Sequence, residues 1–119
     1  MRLLVVDDDP GICRMLGRIL RVEGHVVLSA WTGAEALKML ESEEIDLVFL
    51  DYRLDDMDAP ELLARMPGGP GSVPVIVMTG LKQDGDAMDV VDAGAARIVE
   101  KPFDINFIRR LVSEYAKRE

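Results

Sequence analysis

The chain has 119 residues, of which 49% are hydrophobic and 30% are charged, and its formal net charge is −8. This length and composition predict one globular domain over residues 1–119 and exclude a mostly disordered chain. The acidic balance argues against nucleic acid as a direct partner of this domain, because phosphate backbones bind positively charged surfaces.

The first half of the chain alternates short apolar runs with segments of helical periodicity. We predict a strand over Leu3 to Val6, a helix from Pro10 to about Val22 and a second strand over Val26 to Ser29. Thr32, followed three residues later by Glu35, has the pattern of a capping box and predicts the start of a second helix.

The second half continues the alternation with three more strands and three more helices. In chain order these are a strand over Leu47 to Leu50, a helix from Pro60 to about Met66, a strand over Val73 to Met78, a helix near Asp86 to Ala93, a strand over Arg97 to Val99 and a helix from about Asp104 to Lys117. Among the connections, the stretch PGGPG at Pro67 to Gly71 is typical of a surface loop.

Five strands that are apolar on both faces and separated by helices favour a parallel sheet covered on both sides. The predicted fold is therefore an α/β, doubly wound, five-stranded parallel sheet in the order 2-1-3-4-5, as in flavodoxin-like domains. In an open sheet of this kind, ligands bind beyond the carboxyl ends of the strands where the strand order reverses. Here that place lies between strands one and three.

Polar side chains follow four of the predicted strands. Asp7 and Asp8 follow strand one, Asp51 follows strand three, Thr79 follows strand four and Lys101 comes soon after strand five. Three carboxylates from neighbouring strand ends form a site of hard oxygen ligands suited to Mg²⁺. One carboxylate can then act as a nucleophile towards phosphorus, with an ammonium group and a hydroxyl group to stabilise the equatorial oxygens. The pattern indicates phosphoryl chemistry at this edge.

Four stretches of the chain resemble the receiver domain of bacterial two-component response regulators. They are VVDD at Val5 to Asp8, LVFLD ending at Asp51, VIVMTG carrying Thr79 and Gly80, and VEKPF carrying Lys101 and Pro102. Each motif is weak alone, but they occur in order at the expected strand ends. The resemblance to a CheY-like receiver therefore covers essentially the whole chain.

The resemblance implies that Asp51 accepts a phosphoryl group from a sensor histidine kinase or a histidine phosphotransfer protein. It also implies a Mg²⁺ (or Mn²⁺) site made of Asp7, Asp8, Asp51 and the backbone carbonyl of Arg53, with Asp8 a more direct ligand than Asp7. Phosphorylation would change which partner the far face of the domain binds. Such a module is not an enzyme in the usual sense, because it catalyses only its own phosphorylation and dephosphorylation.

The resemblance also assigns roles to residues after strands four and five. Thr79, Gly80 and Lys101 would contact the phosphoryl group. The peptide bond before Pro102 would be cis, an isomer found in only ~5–6% of X-Pro bonds in folded proteins. A homodimer through the fourth helix, the fifth strand and the last helix is a further expectation for this kind of domain.

Two features depart from the family pattern. The loop after Asp51 has Asp55 where the family has Pro and Ala59 where it has Gly, which predicts a different path into the third helix. On strand five, Ile98 stands at the switch position where the family commonly has an aromatic residue. The aromatic rotamer mechanism of the family therefore cannot be carried over.

Four other aspartates accompany these motifs. Asp55, Asp56 and Asp58 add negative charge near a site that must accept a phosphoryl dianion, and we expect them to shift metal affinity or the rate of dephosphorylation. Asp9, directly before Pro10, is placed as the N-cap of the first helix. Asp9 is therefore expected to be structural.

Three alternative functions remain open at this point. A small phosphatase of the haloacid dehalogenase type also uses an aspartyl nucleophile, but it needs a second Asp at the position of Arg53. A flavodoxin-like binder of flavin or nucleotide needs a phosphate-binding loop after strand one, where this chain has acids. A degenerate receiver that serves only as a scaffold does not need the acidic set, Thr79 and Lys101.

The expected location is the cytoplasm. No apolar run approaches the ~20 residues that span a bilayer. The single cysteine, Cys13, fits a reducing compartment, and no signal peptide is visible.

Overall fold

The structure is a computed structural model that describes residues 1–80 and 90–117. Its elements are β1 (Arg2–Val6), α1 (Pro10–Val22), β2 (Val26–Ala30), α2 (Gly33–Ser42), β3 (Leu47–Asp51), α3 (Ala59–Arg65), β4 (Val75–Thr79), β5 (Arg97–Glu100) and a C-terminal helix (Ile105–Lys117). Of the helix expected near Asp86 to Ala93, residues 90–92 are helical, and the part up to residue 89 lies outside the described residues.

The five strands form one sheet in the order β2-β1-β3-β4-β5, and every neighbouring pair is parallel. This confirms the predicted fold. The pairing of β1 with both β2 and β3 places the reversal of strand order between β1 and β3. The carboxyl ends of β1, β3, β4 and β5 consequently meet along one edge of the sheet.

The sheet carries a hydrophobic layer on each face. Along β1, Leu4 and Val6 contribute to one layer, while Leu3 and Val5 contribute to the other, and all four are fully buried. The first layer is completed by residues of α2 and α3, namely Ala36, Leu62 and Leu63. The second is completed by residues of α1 and the C-terminal helix, namely Leu16, Leu20, Ile108 and Leu111. Burial on both faces explains why the strands are continuous apolar runs.

Local chemistry sets where the helices begin. Asp9 is the N-cap of α1, and its side chain accepts a hydrogen bond from the Gly11 N–H at 2.8 Å, which confirms the expected cap. Thr32 caps α2 in the same way, accepting from the Glu35 N–H at 3.1 Å. The Glu35 carboxylate accepts from the N–H of Trp31 at 2.8 Å, one residue earlier than a capping box requires.

Several predicted boundaries moved by one or two residues, and two of the shifts have a local cause. β4 begins at Val75 and not at Val73, because Pro74 has no N–H to donate to the strand ladder. α3 begins at Ala59, one residue before the expected start, and the preceding Asp58 serves as its N-cap. In the described ranges, 1–80 and 90–117, no residue other than glycine has a positive φ, so Ala59 enters the helix without backbone strain.

No helix in the described part of the chain combines the length and the apolar character needed to cross a membrane.

Candidate functional site

Four strand ends deliver polar side chains to the same edge of the sheet. Asp7 follows β1, Asp51 ends β3 and Thr79 ends β4. Lys101 follows β5, and its N–H donates to the carbonyl of Thr79 at 2.7 Å, which continues the pairing of β4 with β5 by one residue. The parallel sheet therefore brings together side chains that are up to 94 residues apart in sequence.

The centre of the site is a cluster of three carboxylates. One oxygen each from Asp7, Asp8 and Asp51 lies within 4.8 Å of the others. Asp7 is almost fully buried, with 1% of its surface exposed, Asp51 is half-buried, and Asp8 is exposed. The buried carboxylate thus lies beneath two that solvent can reach.

Lys101 neutralises part of this charge. Its Nζ donates to Asp7 Oδ2 at 2.8 Å and to Asp51 Oδ1 at 3.1 Å. The Lys101–Pro102 peptide bond is cis, the isomer that the resemblance implies. A single ammonium group therefore links the buried carboxylate to the last residue of β3.

The second oxygen of Asp7 is also engaged. Asp7 Oδ1 accepts a hydrogen bond from the Asp9 N–H at 2.9 Å, and the carbonyl of Asp7 accepts one from Cys13 Sγ at 3.4 Å. Asp9 in turn caps α1. Each carboxylate oxygen of Asp7 thus has a protein partner, which leaves Asp8 and Asp51 as the more accessible ligands.

The pKa values in the site reflect burial and crowding. Burial, followed by the nearby charge of Asp7, raises the pKa of Asp51 above its usual value, although Lys101 acts in the opposite direction. Loss of solvation, then the charges of Asp55 and Asp7, raise the pKa of Asp8. Burial alone would lower the pKa of Lys101, but the two carboxylates outweigh it and the pKa is raised. Lys101 therefore keeps its positive charge.

Thr79, Gly80 and Ile98 complete the neighbourhood. Thr79 is buried, with 6% of its surface exposed, while Gly80 is exposed. Within residues 1–80 and 90–117, the Thr79 hydroxyl forms no hydrogen bond. Ile98 pairs in register with Val77 and is half-buried against the α2 and α3 side of the core.

The loop that connects Asp51 to α3 is closed on itself. The Leu54 N–H donates to the carbonyl of Met57 at 3.0 Å, and the Ala59 N–H donates to the carbonyl of Tyr52 at 2.7 Å. An isolated antiparallel bridge joins Arg53 to Asp58. This arrangement holds the Arg53 backbone, whose carbonyl the resemblance assigns to the metal.

The structure separates the three extra acids of this loop. Of these three acids, Asp55 is the one whose charge helps to raise the pKa of Asp8. Asp58 accepts from the Glu61 N–H at 3.0 Å and caps α3. Asp56 binds the N-terminus of α2, accepting from the N–H groups of Gly33 and Ala34. Two of the three acids therefore cap helices, while their expected effect on metal affinity or dephosphorylation stays a prediction.

Sequence reasoning missed the contact between Asp56 and α2. The two hydrogen-bonded groups are 22 and 23 residues away from Asp56 in the chain. A local capping pattern relates neighbours of the N-cap only, so no short motif could reveal a cap that comes from another loop.

The donor set fits a small, hard divalent cation. Carboxylate oxygens are the ligands that Mg²⁺ prefers, whereas structural zinc sites are usually built from Cys and His. Asp7, Asp8 and Asp51 supply three carboxylates, two of them at the solvent side of the cluster. Burial first, and then the repulsion of neighbouring carboxylates, raise the pKa values of Asp8 and Asp51, and a bound cation would relieve that repulsion.

Comparison with known proteins identifies the family. The sheet and its acidic edge define a CheY-like α/β domain. The family model described as the response regulator receiver domain matches residues 3–113. The chain belongs to this family of two-component signalling domains, whose members interact with histidine kinases and are generally not enzymes in the usual sense.

Two curated relatives illustrate the range of the family. Sporulation initiation phosphotransferase F of Bacillus subtilis (strain 168) is 35% identical over 114 residues, which are 96% of this chain and 92% of that protein. Transcriptional regulatory protein GlrR of Escherichia coli (strain K12) is 37% identical over 112 residues, which are 94% of this chain but 25% of that protein. The chain thus spans about a quarter of the length of GlrR.

Solved structures show the same architecture. A CheY-like response regulator receiver domain protein from Methanospirillum hungatei JF-1 has a TM-score of 0.85 and 30% identity, with coverage of 99% of this chain and 98% of that one. A two-component response regulator from Clostridium difficile has a TM-score of 0.92 at 24% identity, covering 99% and 97% of the two chains, a likeness of fold.

Proposed function

We propose that this receiver domain accepts a phosphoryl group on Asp51 from a phosphohistidine of a sensor histidine kinase or phosphotransfer protein. The observation that carries the proposal is the contact of Lys101 with both Asp51 and Asp7 beside the exposed Asp8. The phosphorylated domain then changes its affinity for a partner or its oligomeric state.

The proposed step is a transfer from nitrogen to oxygen. A carboxylate oxygen of Asp51 attacks the phosphorus, an O–P bond forms, and the P–N bond breaks with its electron pair going to the imidazole nitrogen. Lys101 remains protonated, because its pKa is raised, and its ammonium group can move from the Asp51 carboxylate to an equatorial phosphoryl oxygen. The reaction needs mainly positioning and charge stabilisation, which this edge provides.

Asp7, Asp8, Asp51 and the backbone carbonyl of Arg53 would hold Mg²⁺ (or Mn²⁺). When bound, the cation supplies positive charge to the carboxylates and to the phosphoryl oxygens. Asp7 has both oxygens engaged by Lys101 and the Asp9 N–H, so its main part is to orient the other groups. Asp8 and Asp51 are the ligands open to the ion.

Thr79 and Gly80 are the remaining phosphoryl contacts. The Thr79 hydroxyl is a buried donor at the end of β4, and the part of the chain that the structure describes offers it no partner. A phosphoryl oxygen would satisfy it. The exposed backbone at Gly80 adds an N–H that a side chain would not obstruct.

A groove beside Lys101 fits the phosphoryl donor. It has a volume of about 560 Å³ and lies between α1 and the segment after β5. Its lining is Ile12, Met15, Gly80, Lys101, Pro102 and Phe103. An apolar groove with one cation at its end suits an amphipathic helix that presents a phosphohistidine, so we assign the donor protein to this face.

Several finer assignments belong to the same proposal. The chain acts as a single domain in the cytoplasm, without direct contact to nucleic acid. Its far face, around the fourth helix, β5 and the C-terminal helix, takes the partner or a second copy. Because Ile98 lacks a ring, the signal does not reach that face through an aromatic rotamer at this position.

Phosphorylation with a small-molecule donor tests the proposal. The protein is incubated with Mg²⁺ and acetyl phosphate, and intact mass is measured after acid quench. We expect one phosphoryl adduct that is stable to acid and released by hydroxylamine, and we expect Asp51→Asn to lose it. Asp92→Asn, an exposed acid away from the site, is the matched control and should be phosphorylated normally.

Two outcomes would contradict the proposal. If the wild-type protein forms no adduct and does not bind beryllofluoride, a degenerate receiver that acts only as a scaffold is favoured. An adduct that persists in Asp51→Asn would show that another residue is the acceptor. The haloacid dehalogenase alternative is disfavoured by Arg53, and rapid release of phosphate from unrelated phosphomonoesters would revive it.

A further inference from the structure

The N-terminus of α2 is capped by two different segments of the chain. Thr32 Oγ1 accepts from the Glu35 N–H at 3.1 Å, and the Thr32 carbonyl accepts from the Ala36 N–H at 3.1 Å. The N–H groups of Gly33 and Ala34 donate instead to Asp56, at 2.9 Å to Oδ1 and 3.0 Å to Oδ2. All four N–H groups of the first helical turn therefore have partners, and half of these partners come from the loop after β3.

Packing reinforces this contact. Met57, the next residue of the loop, is buried and covers Gly33 so closely that a Cβ atom on Gly33 would lie 2.5 Å from Met57 Cγ and Sδ. Hydrogen bonds to a carboxylate at a helix N-terminus are assisted by charge and by the helix dipole. The pKa of Asp56 is accordingly lowered, first by its hydrogen bond from Gly33.

The same loop carries the atoms next to the acidic cluster. Asp51 is its first neighbour at the end of β3, and the Arg53 backbone is bridged to Asp58 across the loop. Asp55 and Ala59 occupy the positions where the family pattern has a stiff Pro and a Gly. Without that proline, the attachment of Asp56 to α2 adds an external constraint to the hydrogen bonds within the loop.

We propose that Asp56 is a positioning residue for the cation site: its carboxylate fastens the loop over residues 52–58 to the N-terminus of α2 and so fixes the Arg53 carbonyl beside Asp51. The inference rests on the proposed function, since it concerns the same site. Asp56 itself touches neither cation nor phosphoryl group. Its effect acts through the backbone of the loop, as outer partners of metal ligands do in other sites.

The test compares two glutamate substitutions that leave net charge unchanged. Asp56→Glu keeps the carboxylate but adds a methylene, so that its oxygens no longer match the two N–H groups. Asp92→Glu makes the same chemical change at an exposed acid outside the loop. Thr32→Ala removes the other cap of α2 without touching the loop. Mg²⁺ affinity is measured by isothermal titration calorimetry, and folding by circular dichroism and thermal melting.

We expect Asp56→Glu to weaken Mg²⁺ binding on the order of tenfold, the lower end of the effect of outer-partner substitutions. Asp92→Glu and Thr32→Ala should bind Mg²⁺ within about twofold of wild type, although Thr32→Ala should melt earlier, as proteins with lost caps do. Asp56→Asn, which keeps one acceptor oxygen, should fall between wild type and Asp56→Glu. It also serves as the second variant if Asp56→Glu folds poorly.

Each remaining outcome contradicts the inference. If Asp56→Glu binds Mg²⁺ as tightly as wild type, or if Thr32→Ala loses as much affinity as Asp56→Glu, Asp56 acts only on helix stability. If wild type itself binds no Mg²⁺ and gives no phosphoryl adduct, the proposed function is wrong, and so is this inference, which rests on it. If wild type binds Mg²⁺ and is phosphorylated, and Asp56→Glu binds Mg²⁺ as tightly as wild type, this inference is wrong while the proposed function stands.

Discussion

At the scale of single residues, the surroundings of Asp51 disfavour the charged form of its carboxyl group. Burial and the Asp7 carboxylate raise its pKa, while Lys101 at 3.1 Å opposes them. The net direction is upward, so desolvation and like charge outweigh the ion pair. In the metal-free protein the charge on Asp51 therefore lowers the free energy of unfolding.

Asp51→Asn should stabilise the metal-free protein at neutral pH, raising its melting temperature by a few degrees. The folded state binds the Asp51 proton more tightly than the unfolded chain, so the cost is fully present above the raised pKa. It is relieved progressively as the pH falls from the raised pKa towards the unfolded value of 3.8, and it is absent below that value. Melting of both proteins in chelator between pH 7 and pH 3 should show the difference closing as acid is added.

Asp92→Asn, an exposed acid, should show no such pH-dependent gap. An Asp51→Asn protein that melts below wild type at pH 7 in chelator would mean that attraction to Lys101 exceeds the desolvation of Asp51.

The residues of the site could be predicted from sequence because each one follows a strand. Asp7, Asp51 and Thr79 end or follow apolar runs, and parallel strands end on one edge. The engagement of both Asp7 oxygens could not be predicted in the same way. It depends on the side-chain reach of Lys101 and on the turn at Asp9, neither of which has a periodic signature.

At the scale of elements, the loop after β3 and the start of α2 form one packed unit. Met57 occupies the space where any larger residue at position 33 would place its side chain. Gly33 is one of the buried residues of α2. The first helical turn and the loop thus constrain each other sterically as well as through hydrogen bonds.

Gly33→Ala should destabilise the protein by about 1–3 kcal/mol, as overpacking of a filled site does. The added methyl group would clash with Met57. The ~1 kcal/mol that alanine gains over glycine in a helix interior does not fully apply here, because Gly33 is the first residue of α2. The free energy of unfolding is measured by urea denaturation. In a Met57→Ala background the cost of Gly33→Ala should shrink or reverse, because the clashing atoms are gone.

Strict additivity of Gly33→Ala and Met57→Ala in this double-mutant cycle would rule out the contact as the cause.

Helices and strands were predictable because their apolar spacing is regular, and α1 agrees with the prediction at both ends. Boundaries next to special residues moved, as at Pro74 before β4. The cap that Asp56 gives α2 was not predictable, since it joins positions 22 and 23 residues apart.

At the scale of the whole molecule, one edge of the sheet concentrates negative charge in a protein that already carries a net −8. Asp7, Asp8 and Asp51 lie together there. Among residues 1–80 and 90–117, Lys101 is the one whose ammonium group forms ion pairs with this cluster. A cation that binds this edge only in the folded state must stabilise the entire domain, because folding of a small domain is cooperative.

Mg²⁺ should therefore raise the melting temperature, with a gain of about 2.7 kcal/mol when its concentration is 100 times the dissociation constant. Scanning calorimetry over a MgCl₂ series measures the effect. Asp8→Asn should lose most of the gain, because it removes the most exposed ligand. An equal rise with NaCl of the same ionic strength would show general screening and no specific site.

The global arrangement was the most predictable level. Alternating strands and helices leave few topologies for a chain of this size, and the order 2-1-3-4-5 follows from right-handed crossovers on both faces. Charge at the edge followed from that order, since the position of the reversal between β1 and β3 determines which carboxylates meet.

The contact of Lys101 with two carboxylates also affects the net charge of the site. Within the cluster that the structure describes, three carboxylates and one ammonium group leave two negative charges, which one divalent cation would neutralise. Transfer of a phosphoryl group to Asp51 would exchange one negative charge for nearly two. The occupied edge would then carry an excess of about one negative charge and would attract any donor within reach. The buried Thr79 hydroxyl ends the neighbouring strand and has no hydrogen-bond partner among the described residues, so the added charge would attract the end of β4.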